Sequence, residues 1–231
     1  CALEINKRAN QFPSINNVSG KESFNENIII KRELAENYCY YNKNYNNFNG
    51  GQEWAKESLK KHDFDKREYI YEYDDFRNAN THSELWNCCQ LQLINEGILH
   101  EYLKNYWAKM ILDWSENSKT ALKIAIKLYN EFSINGKTVS TYADIMSSIM
   151  GIHDRSSNER NVFGKVRYIN FNSYIKTFDV NAYMSKYPKG KENALIVQKI
   201  PTITFENYIK KRKKDVSITI TSQEKKKKCT N

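Results

Sequence analysis

A chain of 231 residues, 40% of them hydrophobic, can bury a core as one large domain or two small ones. No apolar run reaches the roughly 18 residues that a membrane helix needs, and five cysteines (1, 39, 88, 89, 229) without a CxxC spacing exclude a disulfide scaffold and a zinc site. The net charge is +9, but residues 210–231 hold nine basic and two acidic side chains, so the other 209 residues carry only +2 and any nucleic-acid surface on them is a local patch.

Residues 22–39 (ESFNENIIIKRELAENYC) open on an acidic–polar turn and continue with helical periodicity. A tyrosine- and asparagine-rich loop, 40–51, closes on Gly50–Gly51. WAKESLKKH (54–62) is a short amphipathic helix, and KREYIYEYDDFRNANTH (66–82) is a connector holding a small one. Three consecutive helices form the centre: ELWNCCQLQLINEG (84–97), stopped by Gly97, LHEYLKNYWAKMILDW (99–114), and KTALKIAIKLYNEF (119–132), capped by Ser118 or a polar neighbour. Their short joins predict packed antiparallel neighbours. STYADIMSSIMG (140–151) is a further helix, followed by an irregular basic stretch over 153–177. The longest alternating pattern is VSITITS (216–222), between lysine clusters. The expectation is an all-α body over residues 1–190 and a basic, disordered tail over 191–231. The tail's KKRKK (210–214) fits a nuclear-import signal, a non-specific DNA contact or a solubilising role alike. With no signal peptide and a start at Cys1, the chain reads as part of a longer intracellular protein, nuclear or cytoplasmic, and a monomer.

Trp86, Trp107 and Trp114 are 21 and then 7 residues apart. Seven residues are two helical turns, so Trp107 and Trp114 share a face about 10 Å apart along one helix. Such a row either fills a core or passes electrons, and spacing alone favours core.

Five segments in fixed order, KRELAENYCYYN (31–42), HDFDKREYIY (62–71), THSELWNCCQLQ (81–92), YWAKMILDW (106–114) and GIHDRSSNERNVFGKVRYIN (151–170), resemble the C-terminal helical domain of class II cyclobutane pyrimidine dimer photolyases. IKTFDVNAYMSKY (175–187) extends the match more loosely. The resemblance implies a fragment of a light-driven DNA repair enzyme of the photolyase/cryptochrome type. There, reduced FAD passes an electron to a flipped-out dimer in double-stranded DNA, and the N-terminal α/β domain would precede Cys1. By the same resemblance Trp107, Trp86 and Trp114, in that order from the flavin, form an electron chain.

Other positions depart from the family's pattern. Tyr129 stands where an asparagine faces the flavin N5, while Lys104 and Asn135 stand where an arginine–aspartate pair flanks the ring. Asn27, next to Glu26, takes the place of a dimer-binding glutamate; Ser147 that of a stacking tryptophan; Asn105 that of a methionine. Asp154, Arg155 and Arg167 match lesion- and phosphate-contacting residues, with Arg160 and Lys165 in the same stretch. A non-catalytic DNA- or protein-binding descendant with an eroded pocket is the alternative these substitutions raise.

Overall fold

The computed structural model describes residues 2–11, 15–169 and 179–199. Every regular element among them is helical, and the sole β-type pairing is an isolated bridge between Arg160 and Gly164. The all-α expectation holds. The VSITITS segment and the lysine clusters lie outside the described residues.

The chain opens with α1 (Ala2–Gln11) and α2 (Ile15–Asn25), joined by a hydrogen bond from Asn25 Nδ2 to Asn6 Oδ1 at 3.0 Å. A π-helical turn, Glu26–Lys31, links α2 directly to α3 (Arg32–Tyr41). The loop that follows tightens into a 3-10 turn over Phe48–Gly50, and α4 (Glu53–His62) and α5 (Tyr73–Arg77) come next. A reciprocal capping box between Glu72 and Asp75 starts α5.

The central helices are α6 (Glu84–Glu96), α7 (Glu101–Trp114), α8 (Ser118–Phe132) and α9 (Val139–Met150). Local chemistry sets their ends. Ser83 Oγ accepts from the Trp86 N–H at the start of α6, and Gly97, at φ +70°, ends it. A side chain at Gly97 would strike Ile134 at 2.6 Å as well as strain the backbone. For α8 the cap is Asn117, whose side chain accepts from Thr120 N; Ser118 is the first helical residue instead.

Helices α7, α8 and α9 pack on one another, α6 lies along α7, and α3 lies along α9. Trp86, Trp107, Leu93, Ile111, Leu112, Leu122, Leu128, Ile145 and Met146 are all but sealed from solvent at the centre. Beyond the basic loop come α10 (Val180–Met184) and α11 (Pro188–Lys199). Helix α11 packs along α6 and crosses the expected end of the body at residue 190. Its buried face is made of Gly190, Asn193 and Ala194, and Asn193 Nδ2 donates to the Ala79 carbonyl at 3.0 Å. Among the described residues the helical body therefore reaches Lys199. Small side chains, not an apolar stripe, hold its last helix.

Candidate functional site

Helix α7 presents Trp107 and Trp114 on one face, two turns apart, and α6 slots Trp86 between them. The Trp86 and Trp107 rings are parallel, with centroids 6.2 Å apart and planes within 7°. Trp86 meets Trp114 edge-on at 6.3 Å. The order in space is thus Trp107, Trp86, Trp114. Trp86 and Trp107 are fully buried, and Trp114 is 6% exposed. Trp86 Nε1 donates to the Trp107 carbonyl at 3.0 Å, and Trp107 Nε1 donates to Gln90 Oε1 at 2.9 Å. These bonds satisfy the buried indole N–H groups and fix both ring orientations.

At its inner end the row continues into α8. The Tyr129 ring lies 6.0 Å from Trp107, and the Lys104 ammonium sits 5.8 Å from the Tyr129 ring. Lys104 opens onto a cleft of about 330 Å³, whose lining includes Glu26, Lys31, Asn105, Asp144, Ser147 and His153. Small-molecule sites occupy about 300–1,000 Å³, so the cleft is at the lower end of that range. Glu26 and Lys31, five residues apart, reach it together because a π turn is one residue wider than an α turn. Asp144 Oδ2 lies 2.5 Å from Lys104 Nζ. Asn105 Oδ1 is buried with no hydrogen-bond partner, an acceptor that a ligand N–H could satisfy.

The basic segment adjoins this cleft at His153. Gly151 (φ +67°) and His153 (φ +58°) turn the chain out of α9. Asp154 Oδ1 then accepts from the Arg155 N–H at 2.8 Å and pairs with Arg167 Nη2 at 2.9 Å. Arg155, Arg160, Lys165 and Arg167 are exposed. The segment is pinned to α4 and the turn after it: Ser58 Oγ accepts from Lys165 N at 2.7 Å, and Asp65 Oδ2 from Val162 N at 2.9 Å. Glu159 adds bonds from Lys61 and His62, which hold its carboxylate down to about 2.

No protein-family model matches the sequence. Curated proteins do. Over 185 residues, 80% of this chain, it is 42% identical to a deoxyribodipyrimidine photo-lyase of Oryza sativa subsp. japonica and 40% identical to one of Arabidopsis thaliana. An archaeal deoxyribodipyrimidine photo-lyase, from Methanothermobacter thermautotrophicus, is 34% identical over 163 residues. The chain belongs to the deoxyribodipyrimidine photo-lyase family. It spans about a third of these relatives' length, 36% in each case.

The structure places the sequence-based site positions as follows. Lys104 has a carboxylate partner after all: it is Asp144 on α9, not a residue at position 135. Asn135 is exposed and accepts from Ser133 Oγ at 2.6 Å, closing its own loop. Asn27 does not line the cleft; its amide donates back to the Ser23 carbonyl at 2.9 Å, and Glu26 lines the cleft in its stead. Tyr129 is buried behind Lys104 and does not line the cleft. Asn105, Ser147 and Lys104 do come together there, with His153, the residue before Asp154, while Asp154, Arg155 and Arg167 do not line the cleft.

One buried charge, bonded to the cleft-lining residue Ser148, escaped the sequence reading. Lys109 is 2% exposed, and its ammonium donates to the Ser148 carbonyl at 2.7 Å. Burial lowers its pKa to about 8, while Asp154 pulls it up and Arg167 pushes it down. Its signal was a lysine in a helix stretch apolar on every side, Tyr106 to Leu112.

Proposed function

We propose that this chain is the helical, flavin-binding part of a class II-type photolyase that repairs pyrimidine dimers in double-stranded DNA. The observation that carries this reading is the unbroken row Trp107–Trp86–Trp114, which ends, through Tyr129 and Lys104, beside a cleft with an orphaned acceptor. Bound in the cleft, a reduced FAD would supply the light-excited electron that opens the dimer's cyclobutane ring. The residues present fit one edge of that group. Asn105 Oδ1 offers an acceptor for a ring N–H, and Lys104, oriented by Asp144, offers a cation to an electron-rich ring.

The aromatic row keeps the cofactor supplied with electrons. Trp107 is innermost and gives up an electron first, Trp86 refills Trp107, and Trp114 refills Trp86. The acceptors at the first two indole N–H groups are an amide oxygen and a peptide carbonyl. Neither takes up a proton near neutral pH, so the indole radical cation is not trapped by deprotonation at Trp107 or Trp86 and the hole moves outward. On the segment adjoining the cleft, Arg155 and Arg167 contact phosphates, and Asp154, held by Arg167, orients the loop towards the extruded lesion. The protein acts as a monomer inside the cell, in nucleus or cytoplasm.

Ser147 favours a second reading, a non-catalytic DNA-binding descendant. A serine offers no stacking surface, which is worth about 1–3 kcal/mol per base. Illumination of the purified full-length protein with dimer-containing DNA decides between them. Bound flavin with light-dependent loss of dimers, slowed in Trp107→Phe when the flavin starts oxidised, supports repair. A flavin-free protein that still binds DNA supports the descendant.

A further inference from the structure

The basic segment has little regular structure of its own. Arg160 and Gly164 exchange backbone hydrogen bonds at 2.9 and 2.8 Å, and Ser157 N donates to the Lys165 carbonyl at 2.9 Å, so residues 157–165 form a tight loop. Val162, near its tip, stands at φ +65°, in the left-handed region that a β-branched residue rarely enters. Contacts outside the loop must hold that shape. Val162 and Phe163 are buried, and Ser58, Lys61, His62 and Asp65 all bond to the loop.

His62 ties two of these attachments together. Its Nδ1 lies 2.6 Å from Asp65 Oδ2, the oxygen that accepts from Val162 N, and its Nε2 lies 2.9 Å from Glu159 Oε1. Ionised carboxylates only accept, so both ring nitrogens donate and the bonded form is the imidazolium. Burial pulls the His62 pKa down, but the bonds to Asp65 and Glu159 outweigh it and the value stands above the ordinary one. The other charges around it are Lys61 on its own helix, bonded to Glu159, and Arg67 beyond the turn, which acts on Asp65. Asp63 is engaged by Ser118 N at the start of α8. When the imidazolium gives up its proton, one ring nitrogen presents a lone pair to a carboxylate. Whichever nitrogen is bared, the loop loses a hold, because Glu159 belongs to it and Asp65 grips Val162. The stability due to the raised pKa is complete below the unfolded value near 6.5 and is lost as pH rises through the folded one.

We propose that His62 is a positioning residue for the basic segment, a proton-operated clasp whose imidazolium fixes the loop between Arg155 and Arg167 against α4. With the clasp closed, the exposed Arg155, Arg160, Lys165 and Arg167 keep one arrangement. With it open, the loop loosens and a row of phosphates meets a less ordered set of cations. Affinity for duplex DNA therefore falls as pH rises through the titration of this imidazole. That the segment binds DNA rests on the proposed function; the clasp itself does not.

Three pH profiles of the full-length protein test the assignment. The first is the imidazole itself, by NMR of labelled histidines, with His62 assigned by its loss in His62→Gln. The second is the hydrogen-exchange protection of a peptide covering residues 157–165, corrected for the intrinsic rate. The third is affinity for an undamaged duplex, by fluorescence anisotropy. Protection and affinity should each fall about two- to fivefold, the scale of a part-exposed ion pair, at the midpoint of the imidazole. Glu159→Gln removes one of the two carboxylates and should move all three midpoints to lower pH together, which a merely structural role would not do. In His62→Gln the step in protection and affinity should be gone. Lys109 and His153, the other titratable groups beside the segment, are untouched in both variants, so a step that survives in His62→Gln belongs to them and overturns the clasp. Thermal unfolding checks that the variants fold; if His62→Gln does not, the wild-type profiles and Glu159→Gln still decide. Protection that ignores the imidazole overturns the clasp. Affinity that stays flat while protection steps overturns its role in DNA binding. A step in protection with no DNA binding at any pH overturns the proposed function and leaves the clasp standing.

Discussion

Replacing Lys109 by methionine should stabilise the protein at neutral pH and abolish part of its pH dependence. The lysine is 2% exposed and its single hydrogen-bond acceptor is the Ser148 carbonyl at 2.7 Å. Burial takes its pKa from 10.5 down to about 8, with Asp154 opposing the fall. Between those two pH values the unfolded chain holds a proton that the folded chain has released. Stability attributable to this group therefore rises with pH through that window, and below about pH 8 the folded state carries the whole penalty of a buried cation. At 1.36 kcal/mol per pKa unit the penalty is about 3 kcal/mol. Methionine has a similar length and no charge, but it strands the Ser148 carbonyl at a cost of about 1–2 kcal/mol. The balance is a gain of about 1–2 kcal/mol at pH 7 that shrinks towards zero, or reverses, by pH 10. Urea unfolding of both proteins at pH 7 and pH 10, compared at equal m, reads it directly. A variant less stable at pH 7, or a difference that does not change with pH, would refute the reasoning and mean that Asp154 more than offsets the desolvation of Lys109.

Three further outcomes are expected. Gly190→Ala would bring a Cβ to 2.6 Å from Cys88 Sγ and 3.0 Å from Cys88 N, so overpacking between α11 and α6 should cost about 1–3 kcal/mol in thermal or urea unfolding; an unchanged stability would mean that α11 is not held on α6. Asn87→Ala removes a buried amide whose Oδ1 accepts from Thr81 N and Oγ1 and whose Nδ2 donates to the Thr81 and Gly190 carbonyls. Stranding several of those groups should lower stability by about 3 kcal/mol, at about 1–3 kcal/mol for each group left unmet, and a loss under 1 kcal/mol would indicate that water replaces the amide. Arg155→Ala should flatten the slope of log K for DNA against log salt by about 1, equally for damaged and undamaged duplex, if Arg155 contacts a phosphate; an unchanged slope in filter binding would remove it from the interface.

The central helices were legible because several of their ends carry a local signal, with side-chain caps at the starts of α6, α8 and α9. Gly97 and Gly151 stop α6 and α9 in the left-handed region, and the period of α7 puts Trp107 and Trp114 on one face. Local signals blur by a residue where several polar side chains compete, which is how Asn117 rather than Ser118 caps α8. Helix α11 was missed for a different reason. Its sequence, PKGKENALIVQK, has no apolar stripe, and its contact face of Gly190, Asn193 and Ala194 works by close approach. Small residues look the same in a tail as in a tight helix–helix contact.

At the site, spacing within one helix was readable and pairing between helices was not. Nothing near Lys104 in sequence indicates Asp144, 40 residues away on α9. The place of Trp86 between two tryptophans of the next helix was indicated by the family resemblance alone and not by spacing. The placement of Asn27 outside the cleft lining, with Glu26 inside it, is the more instructive case. Counting residues along an α-helix keeps a position on its face, but the π turn over Glu26–Lys31 widens the count by one and exchanges neighbours. A residue-by-residue carry-over from a family is therefore least secure where the backbone leaves the α-helical period, and that is where one wall of this cleft is built. The tryptophan row has no such break between its members: Trp86 lies inside α6, and Trp107 and Trp114 lie inside α7. Regular helices thus fix the route out of the cleft, while an irregular turn shapes what the cleft can hold.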